Sequence, residues 1–131
     1  MSSDSQQLEA LIKGFADRAQ NKTFLPSNTI NDFLAIRPSG NPLTLEQNNQ
    51  MRMSEDISIE KEEMIKINSI EIHGDIATAC FTVHQVFNYK GTENDDVSVV
   101  LAVFKKKDNE WKMITGSRSQ GRSPDSPLPE F

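Results

Sequence analysis

The runs IATACFTVHQVFNYK (residues 76–90), DVSVVLAVFKKK (96–107) and EWKMITGSRS (110–119) decide the fold. Each is rich in β-branched and aromatic residues, and turn formers separate them. With INSIEIH (67–73) before them, they read as one long antiparallel meander. An antiparallel sheet with one wet face alternates apolar with polar residues. Here both phases are apolar. In the first run Ala77, Ala79, Phe81, Val83, Gln85 and Phe87 stand against Ile76, Thr78, Cys80, Thr82, His84 and Val86. Both faces are therefore predicted to be covered, one by a helix and the other by something outside the chain.

Turn chemistry sets the expected register. His73-Gly74-Asp75 suits a tight hairpin, and Asp108-Asn109 suits a two-residue turn with positive φ. A turn at Asp108-Asn109 pairs Lys106 with Trp111, Phe104 with Met113 and Ala102 with Thr115. One face then carries Val100, Ala102, Phe104, Trp111, Met113, Thr115 and Ser117. The other carries Val97, Val99, Leu101, Val103, Ile114 and Arg118. The set with the large aromatics suits packing under a helix, and the flat β-branched set suits a second sheet. The polar stretch KGTENDD (90–96) reads as a longer loop.

Before the meander, Leu8, Leu11, Ile12, Phe15, Ala16 and Ala19 recur at the spacing of one helical stripe. Ser3 with Gln6 forms a capping-box pattern, which predicts a helix from about Asp4 to Gln20. NKTFLPSNTIN (21–31) breaks that pattern, and DFLAIR (32–37) reads as a short strand stopped by PSGNP (38–42). Thr44 with Gln47 repeats the capping box and opens a helix through about Met53. The tail GRSPDSPLPEF (121–131) is Pro-rich with little to bury. One domain over 1–121 is expected, with 122–131 extended or disordered.

Composition narrows the function classes. A chain of 131 residues suits one domain, and its net charge of −5 argues against a nucleic-acid surface. Lys105-Lys106-Lys107 is expected at a solvated hairpin tip. The single cysteine, Cys80, lies in an apolar strand and reads as a structural thiol. MSSDSQQLEALIKG (1–14) lacks the basic and apolar regions of a signal peptide, and no run is long enough to span a bilayer. A cytoplasmic protein without membrane contact is expected.

The element order resembles the nuclear transport factor 2-like superfamily, which includes ketosteroid isomerases, SnoaL-like cyclases and the association domain of calmodulin-dependent kinases. The resemblance runs from Leu8 to about Gly121. It rests on the N-terminal helix, on FLAIRPSGNPLT (33–44), on IEIHGDIATACFTV (70–83) and on VFKKKDNEWKMITGSRS (103–119). The last carries Asn109 where glycine is usual in the family's final hairpin. The resemblance implies an α+β cone, in which a curved, mostly antiparallel sheet of about five or six strands wraps the helices. It also implies a pocket at the open end.

Fold alone does not choose an activity. A ketosteroid isomerase site needs a carboxylate base in an apolar pocket. The inward phase supplies Gln85, Thr115 and Ser117 instead, with Asp32 as the nearest acid, and a turn or helix-end role suits Asp32 better. His84 falls on the outer face and His73 at a hairpin. Glu60, Glu62 and Glu63 read as a solvated edge. No spacing suits a metal, and neither metal nor cofactor is expected.

The candidate ligand-binding residues are Arg37, Gln85, Tyr89, Trp111, Ser117, Phe33, Phe81 and Phe104. Phe15 and Phe87 add to the aromatic lining. Arg37 offers a planar fork for a carboxylate or phosphate. Arg118 faces inward only if a bulge intervenes. The favoured function is small-molecule binding in an apolar pocket. Its alternatives are an isomerase, dehydratase or cyclase, and a dimeric assembly module. A homodimer through the outer sheet face is expected, since Cys80, Val86, Val99, Leu101, Val103 and Ile114 together exceed the apolar patch a monomer usually exposes.

Overall fold

A computed structural model describes residues 3–14, 29–37 and 40–125, with the side chains at 29–32, 52 and 53 outside the described set. Helix α1 spans Asp4–Gly14. Strands β1 (Thr29–Ile36) and β2 (Pro42–Thr44) lead into helix α2 (Leu45–Met53). The meander follows as β3 (Ile57–His73), β4 (Ile76–Tyr89), β5 (Thr92–Lys107) and β6 (Glu110–Arg118). The six strands form one sheet in the order β2-β1-β6-β5-β4-β3, antiparallel throughout except where β1 runs parallel to β6. This is the expected α+β architecture, with an unclosed curved sheet around an N-terminal helix.

Both capping boxes form. The Gln6 amide donates to Ser3 Oγ at 3.2 Å, and the Ser3 amide donates to Gln6 Oε1 at 3.0 Å. Thr44 and Gln47 repeat the exchange at 3.2 and 3.0 Å. Each box satisfies two orphan amides of a helix start. The remainder of the expected first helix, at 15–20, lies outside the described residues.

Asp108 and Asn109 adopt φ of 53° and 66°, the paired left-handed conformation of a two-residue hairpin. Gly74-Asp75 makes the β3–β4 turn, with His73 paired to Ile76. The expected loop at 90–96 is not formed. Lys90 (φ 51°) and Gly91 (φ 87°) make a tight turn, Tyr89 pairs with Thr92, and β5 begins at once. The reason is length. Extending the ladder pairs residues 92–96 with β4 and satisfies backbone groups that a polar loop would leave to water.

Edge strand β3 carries extra residues at Glu60, Ile65 and Asn68, where its register with β4 shifts. Such bulges bend a strand and blunt its edge. They also convert the usual spacing of two into a mixture of two and three. Ile57, Ile59, Glu62, Met64, Ile67 and Ile70 therefore pair opposite the inward phase of β4.

The core lies between α1 and the inner face. Leu8, Ile12, Ala77, Ala102, Phe81, Phe104 and Trp111 are all at most 2 % exposed. Burying each large side chain of this kind stabilises by about 1.5–3 kcal/mol. Past β6 the backbone stays against β5, with Val97 and Arg122 exchanging amide–carbonyl bonds of 2.8 and 2.9 Å. A Cβ at Gly121 would sit 2.6 Å from the Asp96 side chain, so only glycine fits there. Residues 126–131 lie outside the described set. Among the described residues no helix is long and apolar enough to cross a membrane.

Candidate functional site: a mostly apolar cavity at the open end of the sheet

The inner face is filled at one end and open at the other. At the filled end Trp111 Nε1 donates to Asp4 Oδ1 at 3.1 Å, and Lys106 Nζ donates to the same oxygen at 2.9 Å. These bonds hold the first turn of α1 on the β5–β6 hairpin. Donation from Lys106, then from Trp111, holds the Asp4 carboxyl below the usual aspartate value, although desolvation pulls the other way. Lys106 thus pairs with Asp4 rather than standing in a solvated tip.

At the other end a cavity of about 170 Å³ remains. Strand β1 contributes Phe33, Ala35 and Ile36, and Arg37 follows directly after it. Strand β4 adds Phe81, Val83, Gln85 and Phe87. Helix α2 adds Asn48 and Met51, which its capping box places one turn apart on the same face.

Strand β6 departs from the expected register. Phe104 pairs with Met113 as predicted, but Val103 pairs with Thr115 and Ala102 with Gly116. Ile114 is the extra residue of a bulge. Beyond it the phase inverts: Gly116 and Arg118 join the inner face and Thr115 leaves it. Thr115 Oγ1 instead donates to Leu34 O at 2.8 Å. Ser117 borders the cavity but is in register with Leu101, which is 51 % exposed on the outer face.

Arg118 is the consequence of that bulge. Its Nη1 donates to Gln85 Oε1 at 3.0 Å, and its Nη2 stands 3.9 Å from Glu62 Oε1. The side chains of Glu62 and Arg118 are 1 % and 22 % exposed. Glu62, expected on a solvated edge, is therefore buried. The bulge at Glu60 turns it inward, directly opposite Gln85. A carboxylate so buried needs a cation beside it, and Arg118 supplies one.

Of the sequence-predicted residues, the cavity brings together Arg37, Gln85, Ser117, Phe33 and Phe81. Phe104 and Trp111 lie in the filled end, with the indole N–H taken by Asp4. Tyr89 lies beyond the cavity wall, its ring 5.4 Å from Lys90 Nζ. Phe15 and the Asp32 side chain lie outside the described residues. His84 sits on the outer face, with Nε2 2.6 Å from Asp95 Oδ1. Among the described residues, the ionisable side chains lining the cavity are Arg37 and Arg118, and no cluster of His, Cys, Asp or Glu is placed to hold a metal.

A family model described as a protein of unknown function (DUF3804) matches residues 3–127. The chain belongs to the DUF3804 family. Its structure is similar to an NTF2-like protein of unknown function from Prochlorococcus sp. NATL2A, at 37 % identity and a TM-score of 0.83, covering 93 % of this chain and 96 % of that one. A putative calcium/calmodulin-dependent kinase II association domain from Exiguobacterium sibiricum matches at 14 % identity and a TM-score of 0.77, covering 95 % and 98 %. A ketosteroid isomerase-like protein from Erwinia carotovora atroseptica matches at 15 % identity and a TM-score of 0.66, covering 92 % and 94 %. No curated protein matches the chain. The last two likenesses establish the fold alone, so this DUF3804 chain has the NTF2-like cone.

Proposed function

We propose that this protein binds a small, largely apolar organic molecule in the cavity between β1, β4, β6 and α2. The observation that carries this reading is the cavity itself: about 170 Å³, walled by Phe33, Phe81, Val83 and Met113, with Arg37, Gln85 and Arg118 converging on it. Apolar walls with a few convergent polar groups are the usual make-up of a ligand site. Binding is favoured over acid–base catalysis because, among the described residues, the lining ionisable groups are guanidinium ions. A guanidinium does not give up its proton near neutral pH and so is no general base.

Crystals soaked with a set of apolar acids and ketones test the reading, and density against Phe81 and Gln85 is expected. A Cβ at Gly116 meets nothing closer than 3.7 Å, so Gly116→Val should fold and fill the cavity. It should cut ligand affinity about tenfold or more, since binding needs the emptied volume. Binding untouched by Gly116→Val would place the ligand elsewhere.

The outer face supports a second component of the same reading, a homodimer. Leu34, Ile36, Val99 and Leu101 are 44, 46, 39 and 51 % exposed. They lie across three adjacent strands, since Leu101 pairs with Ser117 and Ser117 with Ile36. A contiguous apolar surface of this kind marks an interface. Light scattering should give a dimer at micromolar concentration, and Leu101→Lys a monomer or an aggregate. A wild-type monomer would contradict the covered face.

A further inference from the structure

We infer that the cavity takes a monocarboxylate with a compact apolar body, and that the buried Glu62 sets the single negative charge it accepts. The inference rests on the cavity being a ligand site, as proposed above.

Size comes first. An enclosed apolar cavity of about 150 Å³ binds a benzene-sized molecule. A cavity of about 170 Å³ therefore suits a ligand whose apolar body is about one aromatic ring in size. Charge comes next. Two guanidinium groups line the cavity, and Glu62, 3.9 Å from Arg118 and 1 % exposed, offsets one of them. Arg37 is different. It follows β1 at the last inward position, half-buried, and no carboxylate lies within ion-pair distance of it among the described residues. Among the described residues, Arg37 is therefore the lining cation with no carboxylate beside it, next to apolar walls. Screening is weak there, and a matching anion gains more than it would on open surface.

The donor geometry selects the anion. A guanidinium presents parallel N–H donors that fit the two coplanar oxygens of a carboxylate. Gln85, which lines the cavity, accepts from Arg118 through Oε1, and its amide nitrogen is a donor. A phosphate monoester is close to dianionic at pH 7 and would face Glu62 with one charge too many. Glu62 is thus a specificity-setting residue that acts through Arg118 rather than by touching ligand.

Calorimetry on the full chain at fixed salt tests this with 4-phenylbutyrate, 4-phenylbutanol and phenyl phosphate. The wild type should bind the acid at least about tenfold tighter than the alcohol, as charge-assisted hydrogen bonds to an ion imply. It should also bind the acid more tightly than phenyl phosphate. Arg37→Gln should bring the acid to within about threefold of the alcohol. Glu62→Gln should narrow the gap between phenyl phosphate and the acid by about tenfold. Equal binding of acid and alcohol by the wild type would overturn the carboxylate inference and leave the cavity site standing. A preference for phenyl phosphate in the wild type, or an acid preference unchanged in Arg37→Gln, would overturn it as well. Failure of all three probes to bind would defeat the ligand-site reading together with it. Should Glu62→Gln not fold, the wild-type ranking and Arg37→Gln decide the matter by themselves.

Discussion

The two ends of the inner sheet face are built from the same strands and differ in what fills them. At one end Phe104 and Trp111 are 1 % and 2 % exposed, and they pack under the Leu8 and Ile12 of α1. At the other, a few residues further along the same strands, Gln85, Phe87 and Arg118 surround about 170 Å³ of unfilled space. The filled end holds the fold together. The open end forgoes packing energy and gains room. Forgone packing of this kind is what a binding site costs, because interiors otherwise close to crystal-like density.

Substitutions that probe each end should separate them. The largest effect is expected at the filled end, where Phe104→Ala should lower unfolding free energy by about 3–5 kcal/mol in a urea titration. A loss near 1 kcal/mol would mean that this end packs no better than the other. Next comes the polar cluster at the open end. Glu62→Ala removes the buried carboxylate beside Arg118 and should cost about 1–3 kcal/mol, kept below the value for a wholly buried pair by the partial exposure of Arg118. Phe87→Ala, on the cavity wall, should cost only about 1 kcal/mol, because its ring already borders a void.

The smallest effect is in pH dependence. Asp4 has a folded-state pKa below its unfolded one, so its contribution is present above the unfolded value of about 3.9. It is lost as pH falls through the lower, folded value. The stability difference between wild type and Asp4→Asn should therefore shrink on titration below about pH 4. A difference constant from pH 6 to pH 2 would show that the contacts with Lys106 and Trp111 do not depend on the carboxylate charge.

Much of the filled end was legible in the residues. The inward phase of β4, the Phe104–Met113 register and the Asp108-Asn109 turn follow from local pattern and turn chemistry, and all three are present. The open end was legible in part. Phe33, Arg37, Phe81 and Gln85 line the cavity as the strand phases predict. Arg118 and Glu62 each follow a bulge, and the bulge reverses the environment that the local pattern suggests. Arg118 faces inward only with a bulge before it, and Ile114 supplies it. Glu62 carries no such signal, since EKEEM reads as a charge run whichever way its strand bends.

The sequence by itself determined the turns at Gly74-Asp75 and Asp108-Asn109, where the capped helices α1 and α2 begin and which phase of β4 faces the core. Those properties depend on a few neighbouring residues: φ-tolerant Asn and Gly, Ser or Thr with Gln three positions on, and period-two runs of Val, Ile and Phe. Only the tertiary structure decided where the ladders slip. Met113, Ile114 and Thr115 are each acceptable on either face, so nothing local selects the extra residue. The observed register goes with contacts distant in sequence: Gly116 paired with Ala102 and Ala35, and Arg118 reaching Gln85 and Glu62. Because a slip of one residue exchanges the two faces of everything beyond it, that non-local choice made Arg118, and not Thr115, part of the cavity.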